Sequence, residues 1–250
     1  MRGQSCSISG ANYEKQIHDV LKKCFINGAP FHTQSENELG GSSSKNDIVC
    51  NFKFPFDIGI EAKKCNTPDW MQCTVLYDEL NRQWIPNPNG KNPEKARNIF
   101  KNIMQNVSLF GGQIPIFSGE KKVTHEEWVR IKSECDTWND YYTSIPNDTI
   151  RRLYHAKGCQ YIQISDGFGL YHLGEDICKF GVPIFEPEQQ VRVRTKIHER
   201  ENKEGYCKLS VTVSCQPKNI NSLPMSPYSL DDENRLPPIL SYAPPNNNNF

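Results

Sequence analysis

The chain has 250 residues, in which 29 Lys and Arg side chains balance 29 Asp and Glu side chains, so its formal net charge is zero. This length is sufficient to bury a large core. A balanced charge creates no general attraction to nucleic acid or membranes, so any such attraction has to come from a local patch. None of the ten cysteines forms a CxxC pair, which disfavours a zinc site or a disulfide framework and favours reduced thiols.

The N-terminal sequence lacks the apolar segment of a signal peptide, and no run approaches the roughly 20 apolar residues that cross a bilayer. We therefore expect a soluble, intracellular protein of the cytoplasm, nucleus or nucleoid, without a membrane partner. The abundance of Lys, Asn and Ile is typical of an AT-rich genome and is compatible with a viral source.

The N-terminal third predicts one helix followed by three strands. The helix follows Ser9-Gly10-Ala11 and ends before Asn27-Gly28, because its apolar residues recur on one stripe. These residues are Tyr13, Ile17, Val20, Leu21, Cys24 and Phe25. The segment GAPFHTQS predicts a short strand, ENELGGSSSKN predicts a loop, and residues 47–52 and 54–63 predict two neighbouring strands.

Residues 66–150 differ in character, because Pro and Gly punctuate them and two segments have helical spacing. These segments, PEKARNIFKNIMQNV and THEEWVRIKSECDTWNDYY, predict a mostly helical insertion. Strands return in CQYIQIS and FGLYHLG, with Asp166-Gly167 as a hairpin turn, and in QQVRVRTKIHERE and GYCKLSVTVSCQ. We predict a single domain over residues 1–216, with the insertion at about 66–150, and a Pro- and Asn-rich extension over residues 217–250.

The segment FPFDIGIEAKK alternates apolar and polar residues with the period of a strand. Glu61 and Lys63 therefore project from one face, ~6.5 Å apart along the strand. A hairpin through residues 53–56 would bring the Asp47 carboxylate close to Glu61. Two adjacent carboxylates repel unless a cation lies between them, and Mg²⁺ suits such a site because it takes few protein oxygens. Lys63 would supply a compact cation that orients an attacking water.

Glu14 is a further candidate, because it lies inside the apolar stripe of the predicted helix, between Leu21 and Phe25 on a helical wheel. A carboxylate on a packed face needs a partner, and the strand site offers one. The alternative is an ordinary acidic residue in the first turn, favoured there by the helix dipole.

Asp47, Glu61 and Lys63 together resemble the PD-(D/E)xK nuclease motif, with Asn46 standing where the motif has Pro. The order of GANYEKQIHDVL, GGSSSKNDIV and IGIEAKK is similar to that of archaeal-type Holliday junction resolvases, over roughly residues 10–64. The resemblance implies an α/β (α+β) fold with a restriction-endonuclease-like central mixed sheet flanked by helices. It also implies DNA cleavage that depends on Mg²⁺, with Mn²⁺ as a substitute.

The same resemblance implies roles for the site residues. Asp47, Glu61 and the carbonyl of Ala62 would bind the metal, and Lys63 would activate water. Glu14 would support the reaction and contribute to the metal site. Because such resolvases act as symmetric dimers, a homodimer is a further expectation.

Three segments are candidates for DNA contacts. Ser42, Ser43 and Ser44 lie on a glycine-containing loop whose hydroxyls can donate to a phosphate, the alternative being a plain loop. The segment YIQIS resembles the later core strand of such nucleases, where Gln163 would face the site or be an ordinary strand residue. Cations at alternate positions of a strand can follow a phosphate backbone or form a solvated outer face. These cations are Arg192, Arg194, Lys196 and Arg200.

These patterns predict a Mg²⁺-dependent endonuclease that hydrolyses DNA phosphodiester bonds with a metal-activated water. The substrate stays open between a restriction-type duplex site, a repair substrate and a branched junction. The alternative function is a non-catalytic nucleic-acid-binding module that retains the nuclease fold. The complete set of Asp, Glu and Lys favours the enzyme.

Overall fold

The computed structural model describes residues 2–32, 45–50, 57–115, 123–199 and 205–242. The chain forms two compact units. Unit 1 contains residues 1–68, 151–188 and 219–250, and unit 2 contains residues 69–150 and 189–218. The domain predicted over residues 1–216 is therefore divided in two, and the C-terminal segment belongs to unit 1.

The described residues form four α-helices and thirteen strands. In chain order, these elements are α1 (Arg2–Leu21), β1 (Cys24–Ile26), β2 (Ala29–Pro30), β3 (Ile48–Cys50), β4 (Ile58–Lys63), β5 (Met71–Asp78), β6 (Gln83–Pro86), α2 (Glu94–Asn106), β7 (Val123–Thr124), α3 (His125–Glu134), β8 (Tyr141–Ile145), α4 (Thr149–Lys157), β9 (Cys159–Ile164), β10 (Gly169–His172), β11 (Gln189–Glu199), β12 (Tyr206–Pro217) and β13 (Leu240–Tyr242). None of the described helices is long and apolar enough to cross a membrane.

The central sheet of unit 1 is mixed and has the strand order β10-β9-β4-β3. β4 and β9 are parallel, whereas β3 and β10 run antiparallel to their neighbours. α1 contacts β4, and Tyr13, Ile17 and Leu21 on successive helical turns are buried in the shared core. The predicted α+β class with a mixed sheet is confirmed, and the Asp166-Gly167 turn lies between β9 and β10 as predicted.

The C-terminal segment completes unit 1. β13 pairs antiparallel with β1, and Leu230 lies in the same core as the buried face of α1. Tyr13 donates a hydrogen bond to the Asp231 carboxylate at 2.6 Å. The predicted extension therefore contributes core contacts as far as Leu240 and strand pairing as far as Tyr242. Residues 243–250 lie outside the described part of the chain.

Unit 2 is built on an antiparallel sheet with the strand order β6-β5-β12-β11-β8, and β7 pairs with β12. α2 and α3 fall within the two segments that were predicted to be helical. The structure differs from the prediction of a mostly helical insertion, because residues 66–150 also hold β5, β6, β7 and β8. In β5 the buried Met71, Cys73 and Val75 alternate with more exposed neighbours, so the strand period is present in the sequence there.

Candidate active site

Two buried carboxylates lie together on the unit 1 sheet. Glu61 projects from β4, and Asp47 immediately precedes β3, whose Ile48 pairs with Ile60 of β4. Asp47 is 3% exposed and Glu61 is 1% exposed. The Ala62 amide donates a hydrogen bond to Asp47 Oδ2 at 3.0 Å and so ties this carboxylate to β4. The antiparallel pairing of β3 and β4 therefore brings Asp47 to Glu61.

Lys63 lies two residues beyond Glu61 and shares its face of β4. Its Nζ is 2.5 Å from Glu61 Oε1 and 3.8 Å from Asp47 Oδ2. The Lys63 side chain is 17% exposed, whereas both carboxylates are almost fully covered. The three residues of the sequence motif thus converge, with the lysine on the side nearer to solvent.

Lys157 is a fourth member of the cluster, and the sequence reasoning missed it. It is the last residue of α4, and its Nζ lies 2.6 Å from Glu61 Oε2 and 3.6 Å from Asp47 Oδ1. Its side chain is only 4% exposed. The sequence signal, a lysine before Gly158, is that of any helix C-terminus, where a cation is favoured by the dipole. We call Asp47, Glu61, Lys63 and Lys157 the charged quartet.

Burial and opposite charge act against each other in the charged quartet. Burial raises the pKa of Glu61, while Lys63 and Lys157 lower it. Burial alone would lower the pKa of each lysine, but the carboxylates, Glu61 foremost, outweigh it, so both pKa values lie above the usual one. The Tyr154 ring lies 5.7 Å from Lys63 Nζ and 6.0 Å from Lys157 Nζ. Two anions and two cations therefore balance inside an enclosed site.

Glu14 on α1 lies within electrostatic reach of this cluster. Burial first, and then the charge of Asp47, raise the pKa of its carboxyl to about 7, and Lys63 partly offsets them. Within the described residues, no group of three or more His, Cys, Asp or Glu side chains is placed to hold a metal ion. Glu14 therefore does not join Asp47 and Glu61 as a third carboxylate ligand in this arrangement.

The oxygen atoms of the site nevertheless fit a hard divalent cation that uses few protein ligands. Each lysine Nζ forms an ion pair with both Asp47 and Glu61, so a cation between the carboxylates reaches oxygens of both. Mg²⁺ is commonly bound by one or two carboxylates, with waters as its other ligands. Asp47 and Glu61 are the side chains that would hold such a cation, and one of the two ammonium groups would have to move.

Asn46, which stands at the Pro position of the motif, fixes the chain just before Asp47. Its Oδ1 accepts a hydrogen bond from Cys159 Sγ at 3.2 Å, and its Nδ2 donates to the carbonyl of Gly158 at 3.4 Å. A Cβ at Gly59 would meet the Asn46 side chain and would lie 2.5 Å from the Gly158 carbonyl oxygen. Glycine at this position therefore permits the close approach that holds Asp47 in place.

No protein-family model matches the chain, and no curated protein matches its sequence at a significant level. Among solved structures, the chain is similar to that of HhaI endonuclease in complex with DNA, with 11% identical residues and a TM-score of 0.40. The similarity covers 89% of this chain and 95% of that chain. A superposition at this level does not establish a common fold, so the functional proposal rests on the side chains of unit 1.

Gln163 is placed away from the charged quartet, contrary to expectation. It pairs with Ala62 across β9 and β4, and adjacent residues of a strand face opposite sides, so it lies on the face opposite to Glu61. Its side chain is fully buried. It donates to Ser229 Oγ at 2.8 Å and accepts from the Leu230 amide at 2.9 Å. Gln163 therefore joins β9 to the C-terminal segment and is not available to DNA.

The predicted cationic row lies on β11 in unit 2. Arg192 and Arg194 alternate with buried Val191 and Val193, as the sequence predicts. Both arginines form ion pairs within the unit: Arg192 Nη2 lies 2.6 Å from Asp140 Oδ2, and Arg194 Nη2 lies 2.6 Å from Asp69 Oδ2. Lys196 lies on the same strand. Ser42, Ser43, Ser44 and Arg200 lie outside the described residues.

Proposed function

We propose that the chain is a metal-dependent endodeoxyribonuclease of the PD-(D/E)xK type, which hydrolyses DNA phosphodiester bonds. The observation that carries this proposal is the convergence of Asp47, Glu61 and Lys63. Both carboxylates are buried, and one lysine Nζ lies within ion-pair distance of both. This arrangement has the residue types of the motif and its spacing along the strand, and it brings the three side chains together.

The cost of burying these charges supports a functional role. Removing ions from water is expensive, and a buried ion pair is often no more stabilising than apolar side chains of similar volume. Asp47 and Glu61 lie beside a core in which Ile58, Ile60 and Ala62 are buried without such cost. Clusters of this kind occur in structural networks as well, but they are concentrated at catalytic sites.

Asp47, Glu61 and the Ala62 carbonyl would bind Mg²⁺ or Mn²⁺ in this proposal. A bound metal of this kind supplies Lewis acidity toward the phosphate and lowers the pKa of a coordinated water. Lys63, the more exposed lysine, holds the attacking water by a hydrogen bond and offsets negative charge on the phosphate as it forms. Glu14 modulates the charge of the site from α1.

The kind of DNA follows less directly from the cluster. The N-terminal resemblance points to branched DNA, whereas unit 2 adds a second sheet of the sort that restriction-type or repair nucleases use for their own targets. A homodimer would place two such sites on one substrate. We therefore propose DNA as the partner, with junction, duplex site and repair substrate as the alternatives.

A non-catalytic nucleic-acid-binding module is the second candidate. It is favoured by one observation, namely that the chain itself supplies two ammonium groups that neutralise both carboxylates. In that case the charged quartet would be a structural ion network, and the chain would bind DNA without cutting it.

The decisive experiment incubates the purified protein with supercoiled plasmid, linear duplex, a four-way junction and single-stranded DNA, with Mg²⁺, Mn²⁺ or EDTA. We expect cleavage of at least one substrate that stops in EDTA. Asp47→Asn should reduce the rate by a factor of about 100 or more, because it removes a metal-binding charge. Asp57→Asn is the matched control, since Asp57 is exposed directly before β4. Binding without cleavage under every metal condition would favour the second candidate.

A further inference from the structure

Lys157 contacts the same carboxylates that would bind the metal, but from the opposite side to Lys63. Asp47 Oδ2 and Glu61 Oε1 face Lys63, whereas Asp47 Oδ1 and Glu61 Oε2 face Lys157. Each carboxylate therefore offers one oxygen to each lysine. A metal that bridges Asp47 and Glu61 must take the place of one of these two ammonium groups.

The two sides are not equivalent. On the Lys63 side, Asp47 Oδ2 also accepts the hydrogen bond from the Ala62 amide, so this oxygen is already committed to holding β3 against β4. On the Lys157 side, Glu61 Oε2 also lies 3.7 Å from the Cys159 thiol, but that contact comes from a side chain and is long for a hydrogen bond. Displacement of Lys157 therefore leaves the backbone hydrogen bond between β4 and Asp47 intact, whereas a metal on the Lys63 side would compete with it.

We propose that Lys157 is a positioning residue whose ammonium group holds Asp47 and Glu61 together in the metal-free protein and leaves when a divalent cation binds. This inference rests on the proposed function, because it concerns the same metal site. Without a compensating cation, two carboxylates at this degree of burial repel each other. Lys157 supplies that cation before the metal arrives, and so keeps the site assembled.

The chemistry of lysine suits a replaceable ligand. Its ammonium is a compact point charge on a flexible four-carbon stem, so it can leave without movement of the backbone. Lys157 is followed by Gly158, which has a φ of 99° and closes α4. The stem therefore starts at a helix end and not in the middle of a packed helix face.

The test measures Mg²⁺ binding and lysine accessibility on the full chain without DNA. Acetic anhydride acylates accessible amines, and mass spectrometry then reports the extent of modification at each lysine. We expect Lys157 to be protected without metal and to react at least about fivefold faster in saturating Mg²⁺, the lower range of a typical coupling between two sites. Lys101, exposed on α2, is the control and should react equally in both conditions.

A second measurement uses the variant Lys157→Met and calorimetric titration with Mg²⁺. Removal of the competing ammonium should lower the dissociation constant by about tenfold, whereas Lys101→Met should leave it unchanged. If Lys157→Met does not fold, acylation of the wild-type protein alone tests whether Lys157 leaves the carboxylates when Mg²⁺ binds.

Two results would overturn the inference, and they have different meanings. If Mg²⁺ binds but Lys157 stays protected, Lys157 is a permanent partner of Glu61, and the proposed nuclease function is untouched. If neither the wild-type chain nor Lys157→Met binds Mg²⁺ or Mn²⁺, the metal-dependent function fails together with the displacement.

Discussion

The charged quartet of unit 1 and the ion pairs of β11 in unit 2 each contain two acidic and two basic side chains, but their surroundings differ. The β11 pairs are formed by Arg192 and Arg194 with Asp69 and Asp140. In unit 1, Asp47, Glu61 and Lys157 are 4% exposed or less. In unit 2, the side chains of Arg192 and Asp140 are 19% and 33% exposed. The distances are similar, since the shortest contact of Glu61 is 2.5 Å and that of Asp140 is 2.6 Å. Exposure to solvent, and not contact distance, therefore separates Asp47, Glu61 and Lys157 from the Arg192–Asp140 pair, while Lys63 and Asp69, at 17% and 13% exposed, lie between them.

This difference decides what each group can contribute. Water screens the Arg192–Asp140 pair, the most exposed of the β11 pairs, so this pair changes stability little. The buried quartet is only weakly screened, so loss of one member leaves the others in an unfavourable environment. An enclosed, balanced set of charges is costly to keep, and this cost is the reason that the proposed nuclease function rests on unit 1.

Removal of Glu61 should have the largest effect on stability. Glu61→Ala leaves Lys63 and Lys157 buried with Asp47 as their common partner, so we expect a loss of about 3–5 kcal/mol in the free energy of unfolding. Asp140→Ala removes the nearer of two acidic partners of Arg192 and leaves Asp69 at 3.7 Å, so it should cost no more than about 1 kcal/mol. Urea denaturation of both variants checks the comparison. Equal losses would mean that water reaches the charged quartet as freely as it reaches β11.

The substitution Gly59→Ala should disturb the charged quartet indirectly, because the added methyl group would push against the backbone and the Asn46 side chain next to it. The added Cβ would lie 2.5 Å from the Gly158 carbonyl oxygen, so Gly59→Ala should cost about 1–3 kcal/mol and displace Asn46 from its place beside Asp47. Gly174→Ala is the control, because a Cβ there has no neighbour within 4 Å. Thermal unfolding of both proteins gives the measurement. A Gly59→Ala protein as stable as the control would show that this approach is not required.

The titration of Glu14, which lies near the charged quartet, should make the stability of the protein depend on pH. Its pKa is raised from 4.5 to about 7, so the folded state holds a proton that the unfolded state releases. The stability that Glu14 contributes is therefore complete below pH 4.5 and is lost as the pH rises to about 7. Because Glu14 is partly exposed, we expect a loss of no more than about 2 kcal/mol.

Glu14→Gln should remove this dependence of stability on pH. Between pH 4.5 and 7 the free energy of unfolding of the variant should therefore rise relative to that of the wild-type protein. Glu79→Gln, at an exposed position of unit 2, is the matched control and should follow the wild-type curve. Urea unfolding at several pH values provides both curves. Parallel curves for Glu14→Gln and the wild-type protein would mean that neither burial nor Asp47 raises the pKa of Glu14.

Local patterns in the sequence were sufficient to predict much of unit 1. The apolar stripe of Tyr13, Ile17 and Leu21 predicted the helix α1. The alternation around Glu61 predicted which face of β4 this side chain occupies. Both predictions succeed because the backbone geometry of helices and strands sets these periods. α3 begins with a capping box of Thr124 and Glu127, a spacing that can also be recognised in sequence. Features that depend on four or five neighbouring residues are therefore readable.

Features that depend on pairing between distant segments could not be predicted from the sequence. The two units form because β11 and β12 return to pair with β8 and β5, and nothing local specifies these partners. Lys157 reaches Glu61 only because β9 lies parallel to β4. Gln163 was assigned to the wrong face because its orientation depends on the register with Ala62, which only the assembled sheet determines.

The smallest effect is expected from Asp69, and it tests the prediction that β11 contacts DNA. Asp69→Asn removes the charge that lies 2.6 Å from Arg194 but keeps the side-chain volume and an acceptor oxygen, so stability should change by only about 1 kcal/mol. If Arg192 and Arg194 follow a phosphate backbone, the released cation should strengthen duplex binding and steepen its dependence on salt by about one counterion. Fluorescence anisotropy at several salt concentrations measures both. An unchanged affinity and slope would identify these arginines as partners of acidic side chains in unit 2, and DNA contacts would have to be sought elsewhere on the chain.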